Sequence, residues 1–133
     1  MDYNGAERRQ HKRVYFTNSL VIRGSFGPLD LPEETTEGKV LNLSLGGLYC
    51  TIDRNTTTRF KVNETIIMND LTTSNTFQLS ANIILEVRRV EDQPIFDHIG
   101  YGCQFIDIDD NSKARIAKFL EWEMANISNS NNK

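Results

Sequence analysis

The sequence predicts an all-β fold, a six-stranded antiparallel β-barrel carrying one C-terminal helix. Three observations lead there. Apolar and polar residues alternate in several short runs, most clearly in FQLSANIILEVRRV, where Phe77, Leu79, Ala81, Ile83, Leu85 and Val87 share one parity. Turn-forming residues separate these runs. Near the C-terminus the period changes from that of a strand to that of a helix. Six strands left open would expose two edges to aggregation, so closure into a barrel is the economical arrangement. A length of 133 residues suits one domain with a single modest core.

The elements follow in order. Residues 1–13 show no periodicity and read as a flexible basic arm. From Val14 the pattern changes, and Val14, Phe16, Leu20 and Ile22 mostly keep one parity, as in a half-buried strand. SFGPLDLPEETTEG, Ser25 to Gly38, holds two prolines and two glycines and reads as a long acidic loop containing Glu33, Glu34 and Glu37. VLNLSLGGLYCTI gives two short strands broken near Gly46-Gly47, with Leu48, Cys50 and Ile52 alternating after the break. DRNTTTRFKVNE is a polar connection and ETIIMNDL another strand. The long run from Phe77 is followed by a turn at Glu91-Asp92-Gln93-Pro94. IGYGCQFIDI then alternates through Tyr101, Cys103 and Phe105 and pairs antiparallel with it.

Asp109, Asp110, Asn111 and Ser112 offer N-caps, with acidic groups at the favourable end of the helix dipole. The spacing predicts a helix over about 110–127, with Ile116, Phe119, Leu120, Met124 and Ile127 on one stripe. Trp122 lies off that stripe and reads as a half-buried ring or a contact for a partner, the former being favoured. SNSNNK, 128–133, reads as a disordered tail. The domain organisation expected is therefore an arm over 1–13, a barrel with its helix over 14–127, and the tail.

Composition excludes several classes of function. No apolar run approaches the ~18 residues of a membrane-spanning helix, so no membrane insertion is expected. MDYNGAERRQHKR has no apolar stretch after its basic residues, so a secretory signal is not expected and the location should be cytoplasmic. Cys50 and Cys103 lie within apolar strands and read as buried thiols. With only His11 and His98 beside them and no CxxC spacing, no metal site is expected. No HExxH, GxSxG or GxxxxGK motif is present, and the paired carboxylates Glu33-Glu34 and Asp109-Asp110 sit in turn-like segments. The chain is not expected to be an enzyme or to need a cofactor.

Charge is placed unevenly. The chain carries 15 Lys+Arg against 18 Asp+Glu, a net charge of −3, yet Arg8, Arg9, Lys12 and Arg13 crowd into the first thirteen residues. A nucleic-acid binder normally shows a broad positive face, which this acidic body lacks. A basic arm suits a compact anionic ligand.

Two motifs give that ligand a shape. ERRQHKR contains R-x-x-x-R at Arg9 and Arg13, and NLSLGG contains N-x-S-x-x-G at Asn42, Ser44 and Gly47. A guanidinium donates a bidentate fork to guanine O6 and N7, or to a phosphate. The Asn42 amide accepts from a guanine edge, and Ser44 adds a small donor and acceptor, the two facing the same way if both lie in one strand. Gly47 removes a side chain where the backbone turns or a flat base approaches.

The order of basic R-R-x-x-x-R arm, strand, loop, N-x-S-x-x-G, alternating strands, G-Y-G-C-Q-F and terminal helix resembles the PilZ domain family, bacterial receptors for cyclic di-GMP. The resemblance covers approximately residues 7 to 125. It implies a six-stranded barrel with a flanking C-terminal helix, and binding of cyclic di-GMP that regulates a downstream protein partner in motility, biofilm polysaccharide synthesis or secretion. It also implies that Arg9 and Arg13 hold phosphates and guanine edges, that Asn42 and Ser44 read a guanine, and that Gly47 permits the turn. Arg8 would be a further contact in a stacked, two-molecule form of the ligand. The family more often has aspartate at the position of Asn42; asparagine keeps the acceptor and loses the charge. The alternative reading is a PilZ-like interaction module without the nucleotide, and the intact pair of motifs argues against it. A barrel binding single-stranded nucleic acid or oligosaccharide would need exposed cations and aromatic platforms along its strands, where only Arg88-Arg89 stands out.

Overall fold

The computed structural model describes residues 14–15, 21–73 and 77–131, and the arm expected over 1–13 lies outside these. The elements are β1 (Val14–Tyr15), β2 (Ile22–Pro28), β3 (Thr36–Leu43), β4 (Gly47–Asp53), β5 (Thr65–Thr73), β6 (Gln78–Glu91), β7 (His98–Asp107) and α1 (Asp110–Asn131). The strands pair in the order β3–β2–β5–β6–β7–β4, and β4 pairs back with β3, so six strands close an antiparallel barrel. β1 adds to β3 beyond the end of β2, with Val14 opposite Leu43 and Tyr15 opposite Asn42.

The alternating residues fill the interior. Leu79, Ile83, Leu85 and Val87 of β6 meet Tyr101, Cys103 and Phe105 of β7, and Leu48, Cys50 and Ile52 of β4 complete that wall. Cys50 and Cys103 are both buried free thiols.

The loop expected from Ser25 to Gly38 is shorter. β2 runs on to Pro28 and β3 begins at Thr36, which leaves residues 29–35 as the connection. The two glycines of the stretch from Ser25 to Gly38, Gly27 and Gly38, and Gly24 just before it are strand residues that make room, Gly27 for the Glu34 carbonyl, 2.6 Å from where its Cβ would lie, and the other two for a ring. A Cβ on Gly24 would lie 2.8 Å from the ring of Phe26, and one on Gly38 3.0 Å from it. Phe26 is fully buried, and a bulge between Ser25 and Phe26 admits it. Glycine here marks close packing, where composition alone suggests a turn.

The tip between β6 and β7 is pinned by Arg54. Its Nε donates to the Phe96 carbonyl at 2.9 Å, one Nη donates to the Gln93 carbonyl at 2.8 Å, and the other pairs with Asp92 at 2.7 Å.

α1 packs against β1 and β6. Phe119 stacks on Phe77 at 4.6 Å between centroids, and Arg115 donates to the Gln78 carbonyl at 2.5 Å. Ile116, Phe119 and Leu120 are buried as the spacing predicts. Met124 is exposed instead, and Glu123, 8% exposed, takes the inward position. At about 100° per residue, Glu123 returns almost to the direction of Ile116, whereas Met124 falls to one side. Trp122, expected half-buried, is 53% exposed because it lies still further round the helix. The helix also continues to Asn131, into the segment read as a disordered tail from 128. Serine and asparagine are weak helix formers, but no glycine or proline intervenes to stop it. Among the described residues no helix is long and apolar enough to cross a membrane.

Candidate functional site

The hairpin from β3 to β4 carries the N-x-S-x-x-G residues, and a one-residue insertion decides how they face. Val40 pairs with Cys50 and Asn42 with Tyr49, so Leu41 is a bulge. Val40 and Leu43 both point into the core. In a regular strand Asn42 would share the face of Val40; the bulge resets the alternation and turns Asn42 to the outer face beside Tyr49. Asn42 is 8% exposed there.

Ser44 stands past the end of β3 and does not share a strand face with Asn42, as its spacing suggested. It is 2% exposed. Its hydroxyl accepts from the Gly46 N–H at 3.1 Å and donates to the Gly47 carbonyl at 3.4 Å, while its own N–H donates to the Gly47 carbonyl at 2.9 Å. Ser44 therefore builds the turn that ends β3. Gly47 is needed for a different reason from the turn that was expected. None of the described glycines has a positive φ, but a Cβ on Gly47 would sit 2.1 Å from the Cys103 carbonyl oxygen. The absent side chain lets β4 lie tightly on β7, and the Phe105 N–H donates to the Gly46 carbonyl at 2.9 Å to lock the corner.

Around Asn42 the outer wall has a pattern that the sequence reading missed. Tyr49 pairs with Gly102 of β7, and Gly102 with Arg89 of β6. The Tyr49 hydroxyl donates to Glu91 at 2.6 Å, and Arg89 pairs with the same carboxylate at 3.0 Å. Burial first, and then the bond to Glu91, push the Tyr49 phenol up to about 12. The signal available in the sequence was G-Y-G, whose two glycines lie under Tyr49. Next along the same outer face is an open groove of about 440 Å³, lined by Arg23, Thr36, Glu37, Lys39, Thr51 and Asp53 among others. Arg23 is paired with Glu37 at 2.8 Å and lies opposite Lys39 across the β2–β3 ladder.

Of the residues proposed from sequence, Asn42, Ser44 and Gly47 thus meet at one corner of the barrel, with Asn42 facing outward. Arg8, Arg9 and Arg13 lie outside the described residues. The chain that carries them joins β1 at Val14, directly across the ladder from Leu43.

A family model described as the PilZ domain matches residues 7–122. The chain belongs to the PilZ domain family. Solved structures of PilZ proteins share its fold at low identity. MrkH of K. pneumonia, solved as a c-di-GMP complex, superposes with a TM-score of 0.73 at 16% identity, over 92% of this chain and 55% of that one. The PilZ domain of YcgR from Escherichia coli, also solved with c-di-GMP, gives 0.63 at 13% identity, over 92% of this chain and 98% of that one. The Bacillus subtilis inhibitor of motility, MotI/DgrA, gives 0.66 at 17% identity, over 90% and 52%. The chain thus spans about half the length of MrkH and of MotI. No curated protein sequence matches it.

Proposed function

We propose that this PilZ domain is a receptor for cyclic di-GMP, closing its basic arm over the outer face of the barrel when the ligand binds. The observation that carries the reading is the register of β1. Because Val14 lies opposite Leu43 and Tyr15 opposite Asn42, the R-x-x-x-R segment is tethered next to the Asn42 corner. Arg13 is bonded to Val14, and four extended residues reach at most about 14 Å, so Arg9 remains within range of the same face. In this reading two motifs 29 residues apart, counted from Arg13 to Asn42, serve one ligand. Structures of related folds solved with c-di-GMP support the same ligand.

In this reading Arg9 and Arg13 donate forks to the phosphates and guanine edges. Asn42 meets a guanine edge, Ser44 and Gly47 hold the corner that presents it, and Arg8 contacts a second stacked ligand molecule. Arm closure changes the surface offered to a downstream protein, which is the output. Ordering a segment on binding lowers affinity but makes a switch.

Isothermal titration with cyclic di-GMP, with GTP as the control, tests it. Saturable and selective binding is expected, and Arg9→Ala, Arg13→Ala or Asn42→Ala should each weaken it by about 1–3 kcal/mol, the range of a bidentate base contact. Two ligands per chain in the unaltered protein and one in Arg8→Ala is the result expected for the stacked form. Absence of binding at high ligand concentration overturns the reading and leaves a protein-interaction barrel.

A further inference from the structure

One row of outward-facing residues crosses four strands. Asn42, Tyr49, Gly102 and Arg89 are successive register partners on β3, β4, β7 and β6. At ~4.8 Å between strands, Tyr49 stands one step from Asn42, and Arg89 about 14 Å from it. Both ends of this row are set by bulges. Val87 pairs with Cys103 and Arg89 with Gly102, so Arg88 is the inserted residue and Arg89 is turned outward where regular alternation would bury it. The same device turns Asn42 outward on β3. Bulges recur where a strand must re-aim a functional side chain.

Between these ends stand a tyrosine ring and two glycines. The Tyr49 ring lies along β7: a Cβ on Gly100 would stand 1.8 Å from its hydroxyl oxygen, and one on Gly102 3.8 Å from its ring. Arg89 places its guanidinium carbon 5.5 Å from the centre of that ring. Glu91 holds both groups, through the Tyr49 hydroxyl and the Arg89 Nε. The Arg89 side chain is 62% exposed, so the stack is accessible to solvent.

We infer that the Tyr49–Arg89 stack is a platform for one purine base of the bound nucleotide, separate from the arginine arm and from the N-x-S-x-x-G corner. The inference rests on the receptor reading above. Arg89 is a poor phosphate ligand here, because Glu91 compensates its charge and would repel an anion. A neutral base meets no such repulsion and gains the planar face of guanidinium and ring. The row also fixes the direction: a ligand seated at Asn42 reaches Tyr49 one strand on, over the two glycines.

Titration of the full chain with cyclic di-GMP, and with a 2-aminopurine analogue of it, tests the platform. Tyr49→Phe keeps the ring and should bind within two-fold of the parent, on the order of an unchanged stack. Tyr49→Ala should raise the Kd by roughly ten-fold and abolish the fluorescence quenching that stacking gives the analogue. Arg89→Lys keeps the charge but loses the plane, and should weaken binding like Arg89→Ala; these exposed substitutions stand as the test if Tyr49→Ala does not fold. Parent binding with Arg89→Lys and Arg89→Ala unchanged overturns the platform alone, as does quenching that persists without the Tyr49 ring. A parent protein that binds nothing overturns the receptor reading itself, and the platform with it.

Discussion

Gly47 of β4 and Gly102 of β7 lie on neighbouring strands, yet alanine should have opposite consequences at the two. At Gly47 the new methyl would meet a backbone carbonyl at 2.1 Å, which cannot move without separating β4 from β7. Gly47→Ala is expected to cost ~1–3 kcal/mol or more, the range for overpacking, in urea denaturation. At Gly102 the nearest atoms lie 3.5–3.9 Å away, an ordinary contact, and Gly102→Ala should leave stability almost unchanged. The motif glycine was legible in the sequence; its reason was not, because the carbonyl it avoids comes from Cys103, 56 positions away. The Cys50 thiol is pushed well up, by its hydrogen bond with Cys103 first and then by burial. A thiol reagent at mildly alkaline pH should therefore find Cys50 silent in the native protein and reactive only after unfolding.

Two carboxyl groups, one capping α1 and one within it, affect stability in opposite directions with pH. Asp109 caps α1, accepting from the Ser112 N–H at 3.1 Å and from the Ser112 hydroxyl at 2.5 Å. These bonds hold its pKa below the ordinary 3.8, so its contribution is present above that value and fades as pH falls through the lower, folded value. Asp109→Ala should lower the unfolding temperature at neutral pH, with the gap closing in acid. Glu123 is the reverse case. Burial raises it above 4.5, so the folded state binds its proton more tightly and loses stability as pH rises from there. Glu123→Gln should raise the unfolding temperature at neutral pH and have no effect well below that value. The stripe of α1 was readable as far as Leu120. Glu123 escaped because hydropathy favoured its neighbour Met124, while the turn of the helix selects by angle.

Across the whole barrel, protection against hydrogen exchange should follow the ladders. All six barrel strands are paired on both sides, and β6 and β7, the longest of them, should exchange slowest, whereas β1, held by two register pairs, should exchange fastest in mass-spectrometric labelling. The closed six-stranded architecture was legible because alternation in FQLSANIILEVRRV and IGYGCQFIDI gave the longest strands directly. What stayed hidden were the places where alternation is interrupted, since a bulge leaves no residue type as its mark.

Those interruptions have a further consequence. Removing Leu41 or Arg88 would leave Val40 followed by Asn42, and Val87 followed by Arg89, in regular in-and-out order. Every side chain would keep its side of the wall, and only the local bend and extra twist would go. Each insertion therefore acts on curvature with no net cost to composition. A shortened protein that folds with its normal unfolding temperature but no longer takes up the nucleotide would show that the site is made by the bend of the wall. One that binds unchanged would show that the inventory of outward residues suffices.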